Sequence, residues 1–187
     1  MSNSNIILGV DPGTNLLGYA FVQIVKDKKP RIIVMDSLDM RKINTHAEKL
    51  AYIFKELNRL IVLYSPNEAA IEAPFYGKDV QAMLKLGRSM GAAMVAISVN
   101  NIPLSEYSPR SIKKAVTGNG NASKEQVSRM LPHIVDGEMN TRFVDSCDAL
   151  GVAYCHYLQK NHKGIGGKKY NDWSSYLKDN PDRKSNF

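Results

Sequence analysis

The sequence predicts a single α/β domain, a mixed five-stranded sheet with helices on both faces. Three observations carry that expectation. Three apolar segments joined by short polar links open the chain. Beyond them, stretches of helical periodicity alternate with short apolar runs. The length of 187 residues, with 43% hydrophobic and 23% charged side chains, suits one ordinary globular domain. That composition excludes wholesale disorder, collagen-like repeats and disulfide-dense mini-proteins.

Residues 5–10, NIILGV, read as a buried strand ending at Asp11-Pro12-Gly13. Residues 17–25 read as a second strand and Arg31 to Leu38 as a third, with a polar turn from Lys26 to Pro30. Such short connections predict an antiparallel meander. Thr45 followed by Glu48 is a capping-box signature. Ala47, Leu50, Ala51, Phe54, Leu57, Leu60 and Ile61 then recur at helical spacing until Ser65-Pro66-Asn67. Ala69 to Ala73 is a short strand broken by Pro74.

A second helix is predicted from about Asp79 to Val99, its apolar face made by Val80, Met83, Leu84, Met90, Met94, Val95 and Ile97. Gly87 and Gly91 cost helix propensity there and permit close approach of another helix, within the chain or across a dimer. Residues 103–107 form a further strand. Ser108 caps a helix with Pro109 at its first position, Ser123 with Gln126 caps another, and a last helix runs from about Asp145 to Leu158. From residue 161 onward Gly, Lys, Asn, Asp and Ser dominate, which predicts a basic, flexible C-terminal tail over 161–187.

The net charge of +7 is unevenly distributed. Residues 76–130 carry net +5, residues 131–159 net −3 and residues 160–187 net +4. A basic excess points to a polyanionic partner, and its interruption by an acidic segment argues against mere stickiness. Cys147 and Cys155 have neither zinc nor redox spacing and read as buried thiols of a reducing compartment. Residues 1–10 lack a basic n-region, and no apolar stretch approaches the roughly 18 residues of a membrane span, so a cytoplasmic location is expected.

Four carboxylates stand out by context: Asp11 ends the first strand, Glu72 lies in the apolar run Ala69–Ala73, and Asp145 and Asp148 are three apart at the start of a helix. That spacing puts the last two on one helix face. Taken alone, Asp11 before Pro-Gly is a turn residue and either helix aspartate a cap. Glu72 would be costly if buried unpaired. Taken jointly, converging carboxylates need a cation, and hard oxygen ligands without His or Cys partners select Mg²⁺ or Mn²⁺. Two such ions support phosphodiester cleavage.

The segments Ile7-Leu8-Gly9-Val10-Asp11-Pro12-Gly13-Thr14, Ala70-Ile71-Glu72-Ala73-Pro74-Phe75, Lys85-Leu86-Gly87-Arg88 and Asp145-Ser146-Cys147-Asp148-Ala149-Leu150 strongly resemble the RuvC family. These are crossover junction endodeoxyribonucleases, or Holliday junction resolvases, on a ribonuclease H-like fold. The match spans about residues 5–160 in the family's order, which marks 1–160 as a nuclease domain and 161–187 as a tail. The resemblance implies a homodimer that binds a four-way DNA junction and nicks two strands of like polarity symmetrically in recombination and repair. It implies two Mg²⁺ ions per active site, with Mn²⁺ substituting, held by Asp11, Glu72, Asp145 and Asp148. A branch-migration motor of the RuvA and RuvB type is the protein partner it brings into view.

The basic stretch Tyr107–Val116 and the segment Gly118–Lys124 also resemble the family. Lys113 and Lys124 match positions implicated there in substrate contact and catalysis. Arg110 and Lys114 join them as candidate DNA contacts, although Lys114 reads better as a solvated helix face. Phe75 matches an aromatic that contacts bases at the crossover; Tyr76 and Lys78 are its candidate companions. The Gly118–Asn121 turn either admits a DNA backbone or is simply a flexible loop. His156 reads as a partly exposed helix-end residue rather than a neighbour of the site.

Two features depart from the family pattern. The connection Gly137–Arg142 is unusual, and the tail either adds nonspecific DNA affinity or only solubilises. A YqgF-type nuclease acting on RNA is disfavoured by the Glu72–Phe75 and Gly118–Lys124 segments. A sugar-kinase or actin-like protein would need two lobes. A purely architectural junction binder would gain nothing from four carboxylates facing DNA.

Overall fold

The computed structural model describes residues 5–74, 79–139 and 144–162. Phe75, Tyr76 and Lys78, residues 140–142 of the unusual connection, and the tail from 163 lie outside the described residues. Strands β1 (Asn5–Asp11), β2 (Leu16–Ile24) and β3 (Arg31–Asp39) form the expected antiparallel meander. Strand β4 (Glu68–Glu72) adds to β1 in parallel, and β5 (Leu104–Tyr107) adds to β4 in parallel. The sheet order is β3-β2-β1-β4-β5.

Helix α1 (His46–Tyr64) starts at the Thr45–Glu48 capping box, with both reciprocal hydrogen bonds formed. It packs with α2 (Val80–Ser98) on one face of the sheet, over Leu8, Val10, Phe21 and Ile71. Helices α3 (Pro109–Thr117), α4 (Lys124–Ile134) and α5 (Val144–His162) belong to the other face. There Ile7, Ala20 and Val22 meet Leu131, Leu150 and Ala153. Ser108 and Ser123 cap α3 and α4 as their sequence context predicts.

Two apolar faces differ from expectation. In α1 the buried residues are Ile53, Leu57, Leu60 and Ile61, while Phe54 is exposed. In α2 they are Met90, Ala93, Ala96 and Ile97, with Ser89, and Val80, Leu84 and Val95 are exposed. Periodicity located these helices but not which of two apolar stripes meets the sheet. The part of the 137–142 connection that is described follows an extra bridge along β3: Ile32 N–H donates to the Asp136 carbonyl and Asp136 N–H to that of Pro30.

Side chains alternate across a strand, so Ile7, Gly9 and Asp11 share the α5 face of β1. The bare Cα of Gly9 lets α5 approach: a Cβ there would strike the Ala149 carbonyl and lie 2.7 Å from the Ala153 nitrogen. Gly18, opposite Asp11 on β2, likewise lies under the Asp145 carbonyl. The obstacle at both points is helix backbone, which cannot rotate away. Gly9→Ala is therefore expected to destabilise the protein by about 1–3 kcal/mol, read as a lower urea midpoint; an unchanged midpoint would show that α5 has room to move.

Candidate active site

Asp11 ends β1 and Glu72 ends β4, and these strands are adjacent and parallel, with Val10 in register with Ile71. Their two carboxylates therefore emerge at one edge. Glu68, Ala70 and Glu72 share one face of β4 by alternation, and Ala70 packs on Val152 of α5. Asp148 comes down beside Glu72 from the first turns of α5, and Asp145, whose carbonyl lies over Gly18 of β2, adds its charge at Asp11. Four carboxylates from three elements, far apart in the chain, thus reach a common region.

Their electrostatics reflect the crowding. Burial pushes the Asp11 carboxyl well above the ordinary carboxylate range, and the charges of Glu72, Asp148 and Asp145 add to the shift while Lys124 opposes it. Glu72 is also raised, by burial and then by Asp148, with a hydrogen bond to Asp11 and the charges of Lys124 and Lys113 pulling the other way. Between two such carboxyls the favourable arrangement is one shared proton, since both cannot ionise cheaply. Lys124 Nζ lies 2.7 Å from Asp148 Oδ2, and that contact raises the Lys124 ammonium further.

Lys124 is the first residue of α4, where the helix dipole disfavours a cation. The carboxylates supply the compensating charge. The turn before it is well ordered by hydrogen bonds: Asn119 N–H donates to Thr117 Oγ1, Asn121 N–H to Asn119 Oδ1 and Ala122 N–H to the Asn119 carbonyl. The Arg110 stem lies over Gly120, leaving no space for a Cβ. The flexible-loop reading of Gly118–Asn121 is thereby replaced by a braced turn that presents Lys124.

Lys113, Lys124, Glu72 and Asp148 line one small cavity of about 50 Å³ with Pro109, Ile112 and Val127. Glu72 also borders a second hollow of about 220 Å³ between Pro12, Pro74, Leu86, Met90 and Pro109. Arg110 and Lys114 are exposed on α3, and neither lines either cavity. Among the described residues no three acidic, His or Cys side chains stand in a ready-made metal cage. Asp148 holds Lys124, and Glu72 holds Asp11. The donor set nevertheless fits hard divalent cations. It consists of carboxylate oxygens, and at Asp11 and Glu72 burial and the neighbouring carboxylates both disfavour the bare charge.

His156 departs from expectation. It is 6% exposed, with Nδ1 2.9 Å from the Tyr107 hydroxyl and Nε2 2.9 Å from Glu68 Oε2. Lys160 pairs with the other Glu68 oxygen. The signal was present in spacing: Glu68 and Glu72 share a strand face, and His156 and Lys160 are four apart on one helix.

The match to the RuvC family model, described as crossover junction endodeoxyribonuclease RuvC, covers residues 7–156. The crossover junction endodeoxyribonuclease RuvC of Cytophaga hutchinsonii is 47% identical over 95% of this chain and 87% of that protein. That of Bacteroides fragilis is 45% identical over 95% of both. Among solved structures, Thermus thermophilus RuvC in complex with Holliday junction substrate superposes with a TM-score of 0.79 at 25% identity, over 85% of this chain and 96% of that one. The yeast mitochondrial Holliday junction resolvase Ydc2, at 16% identity and a TM-score of 0.62, shares the fold. Fold, motif order and relatives agree, and the chain belongs to the RuvC family of crossover junction endodeoxyribonucleases.

Proposed function

We propose that this chain is a DNA endonuclease that resolves four-way junctions by paired nicks, with Asp11, Glu72, Asp145 and Asp148 as its metal ligands. The observation that carries this reading is the convergence of four carboxylates, two of them raised by burial and mutual repulsion, beside Lys113 and Lys124. Two Mg²⁺ ions held there, for which Mn²⁺ would substitute, supply water activation and stabilisation of the leaving oxygen. In the reaction a water oxygen attacks phosphorus, the P–O3′ bond breaks, and the products carry a 5′-phosphate and a 3′-hydroxyl that a ligase can reseal.

The chain's own contribution is positioning and charge. Asp11 and Glu72 are fixed by neighbouring strand ends, and Asp145 and Asp148 by the helix lying on them. Lys113 and Lys124 reach the same cavity and neutralise the scissile phosphate as charge develops on it. Arg110 and Lys114 lie on α3 within the basic block and suit contacts to flanking phosphates. Phe75, Tyr76 and Lys78 follow Glu72 closely in sequence and are assigned to bases and backbone at the crossover.

A homodimer suits the symmetric nicks. Val80, Leu84, Gly87, Gly91, Val95 and Val99 form one stripe along α2 and its end; its three valines and its leucine are half or more exposed, and nothing lies within 4 Å of a Cβ built on either glycine. A second α2 fits against such a small-centred apolar stripe. Two buried free thiols suit the reducing cytoplasm, where a branch-migration motor of the RuvA and RuvB type would meet the same junctions.

The test is purified protein with Mg²⁺ on a synthetic four-way junction, beside linear duplex and an RNA–DNA hybrid. Symmetric nicks in the junction alone are expected. Asp11→Asn and Glu72→Gln should each abolish nicking while junction binding, read by gel shift, persists; comparable cleavage by either variant would remove it from the site. Phe75→Ala should weaken nicking through a lost base stack worth about 1–3 kcal/mol, with duplex binding little changed; an unaltered nicking rate would return Phe75 to packing. Gly91→Arg should convert a dimer to a monomer in sedimentation equilibrium. A persistent dimer would place the self-contact elsewhere.

A further inference from the structure

Helix α5 meets β4 at two points, and only the distal one is attractive. Near its start Asp148 faces Glu72, the last residue of β4. Near its end His156 and Lys160 hold Glu68, the first residue of the same strand. Four strand residues span about 13 Å and eight helix residues about 12 Å, so the two meeting points match in spacing. Helix and strand run antiparallel, and the distal contact sets how far the helix has slid along the strand.

The hydrogen-bond roles in the distal contact follow from charge. Burial alone would raise Glu68, but hydrogen bonds from Lys160, His156 and Asn5 outweigh it and hold the carboxyl below its ordinary range. An ionised carboxylate only accepts. His156 Nε2 therefore donates to Glu68, and Nδ1 lies 2.9 Å from the Tyr107 hydroxyl. Tyr107 is the register partner of Glu72 across β4 and β5, and its carbonyl accepts from Ala73 N–H at 2.8 Å. The next residue, Ser108, caps α3, which carries Lys113.

We infer that His156 is a positioning residue for the reaction: clamped between Glu68 and Tyr107, it fixes the α5 aspartates relative to Glu72 and ties both to the strand end that launches Lys113. This rests on the metal-site reading above. His156 touches no reacting atom and acts through the placement of α5 and β5. A displacement of about 1 Å in such a site costs on the order of 10²-fold in rate, and lost support of ligating groups costs about tenfold or more in metal affinity.

Tyr107→Phe keeps the ring and removes only the hydroxyl; His156→Gln keeps a donor toward Glu68. The readouts are Mn²⁺ binding by calorimetry without DNA, junction binding by gel shift, and single-turnover nicking. Tyr107→Phe is expected to stay folded, bind junction normally, raise the half-saturating Mn²⁺ several-fold and slow nicking of bound junction. His156→Gln, retaining one of two contacts, should fall between Tyr107→Phe and His156→Ala. Glu72→Gln is the control. If it binds Mn²⁺ like the unaltered protein, the metal-site reading fails. If Glu72→Gln loses Mn²⁺ while Tyr107→Phe binds and nicks normally, the positioning role of His156 is overturned and the network is only structural. A lower melting temperature with unchanged Mn²⁺ affinity would overturn it equally.

Discussion

The rest of the site depends on how closely α5 lies on the sheet, and two absent side chains set that distance. At Gly9 and Gly18 the helix backbone occupies the space where any other residue would place a Cβ. The same helix carries Asp145 and Asp148 on the turn that crosses Gly18. Asp11 lies two residues beyond Gly9 on the same strand face and is the register partner of Gly18. The steric allowance that lets the helix dock is therefore also what brings its carboxylates over the strand ends. A protein interior transmits small displacements because it is close-packed, so a methyl group under α5 would be felt at Asp11, Asp145 and Asp148.

Concentrating carboxylates opposes folding unless something offsets it. Within the described chain the offset is local: a shared hydrogen bond between Asp11 and Glu72, and Lys124 on Asp148. Lys124 sits where its own helix dipole is unfavourable, an arrangement that makes sense only with the acidic cluster opposite. The overall charge of +7 hides this opposition. The acidic segment over 131–159 contains Asp145 and Asp148, and the basic block over 76–130 contains Lys113 and Lys124. Folding interleaves them, so the positive charge available to a DNA backbone stands directly beside the negative charge available to metal.

Much of this was legible in one dimension. The meander, both capping boxes and the strand positions of Asp11 and Glu72 follow from local pattern, and the matched motifs identified the family. The apolar faces of α1 and α2 were less legible because each helix carries two apolar stripes. Val80, Leu84 and Val95 have the same periodicity as core residues, and only the packing shows that they point outward. The spacing of Gly9 and Gly18 also gave no sign that a helix would cross them, because the helix comes from more than 120 residues away. The burial of His156 is hidden for a related reason: a histidine near a helix end looks exposed until the helix is laid against a strand bearing Glu68.

Glu68 and Glu72 make the general point most sharply. They are the same residue type, four apart on one face of one short strand, and both are covered by α5. Glu72 meets Asp148 and is pushed upward; Glu68 meets Lys160 and His156 and is drawn downward despite its burial. The difference comes from deeper burial of Glu72 together with what the helix presents at each end. One attachment is electrostatically satisfied by the chain itself and holds the helix in place. The other gathers carboxylates, where burial and mutual repulsion raise Glu72. A single helix laid on a single strand thus meets one glutamate with hydrogen-bond partners and the other with like charge.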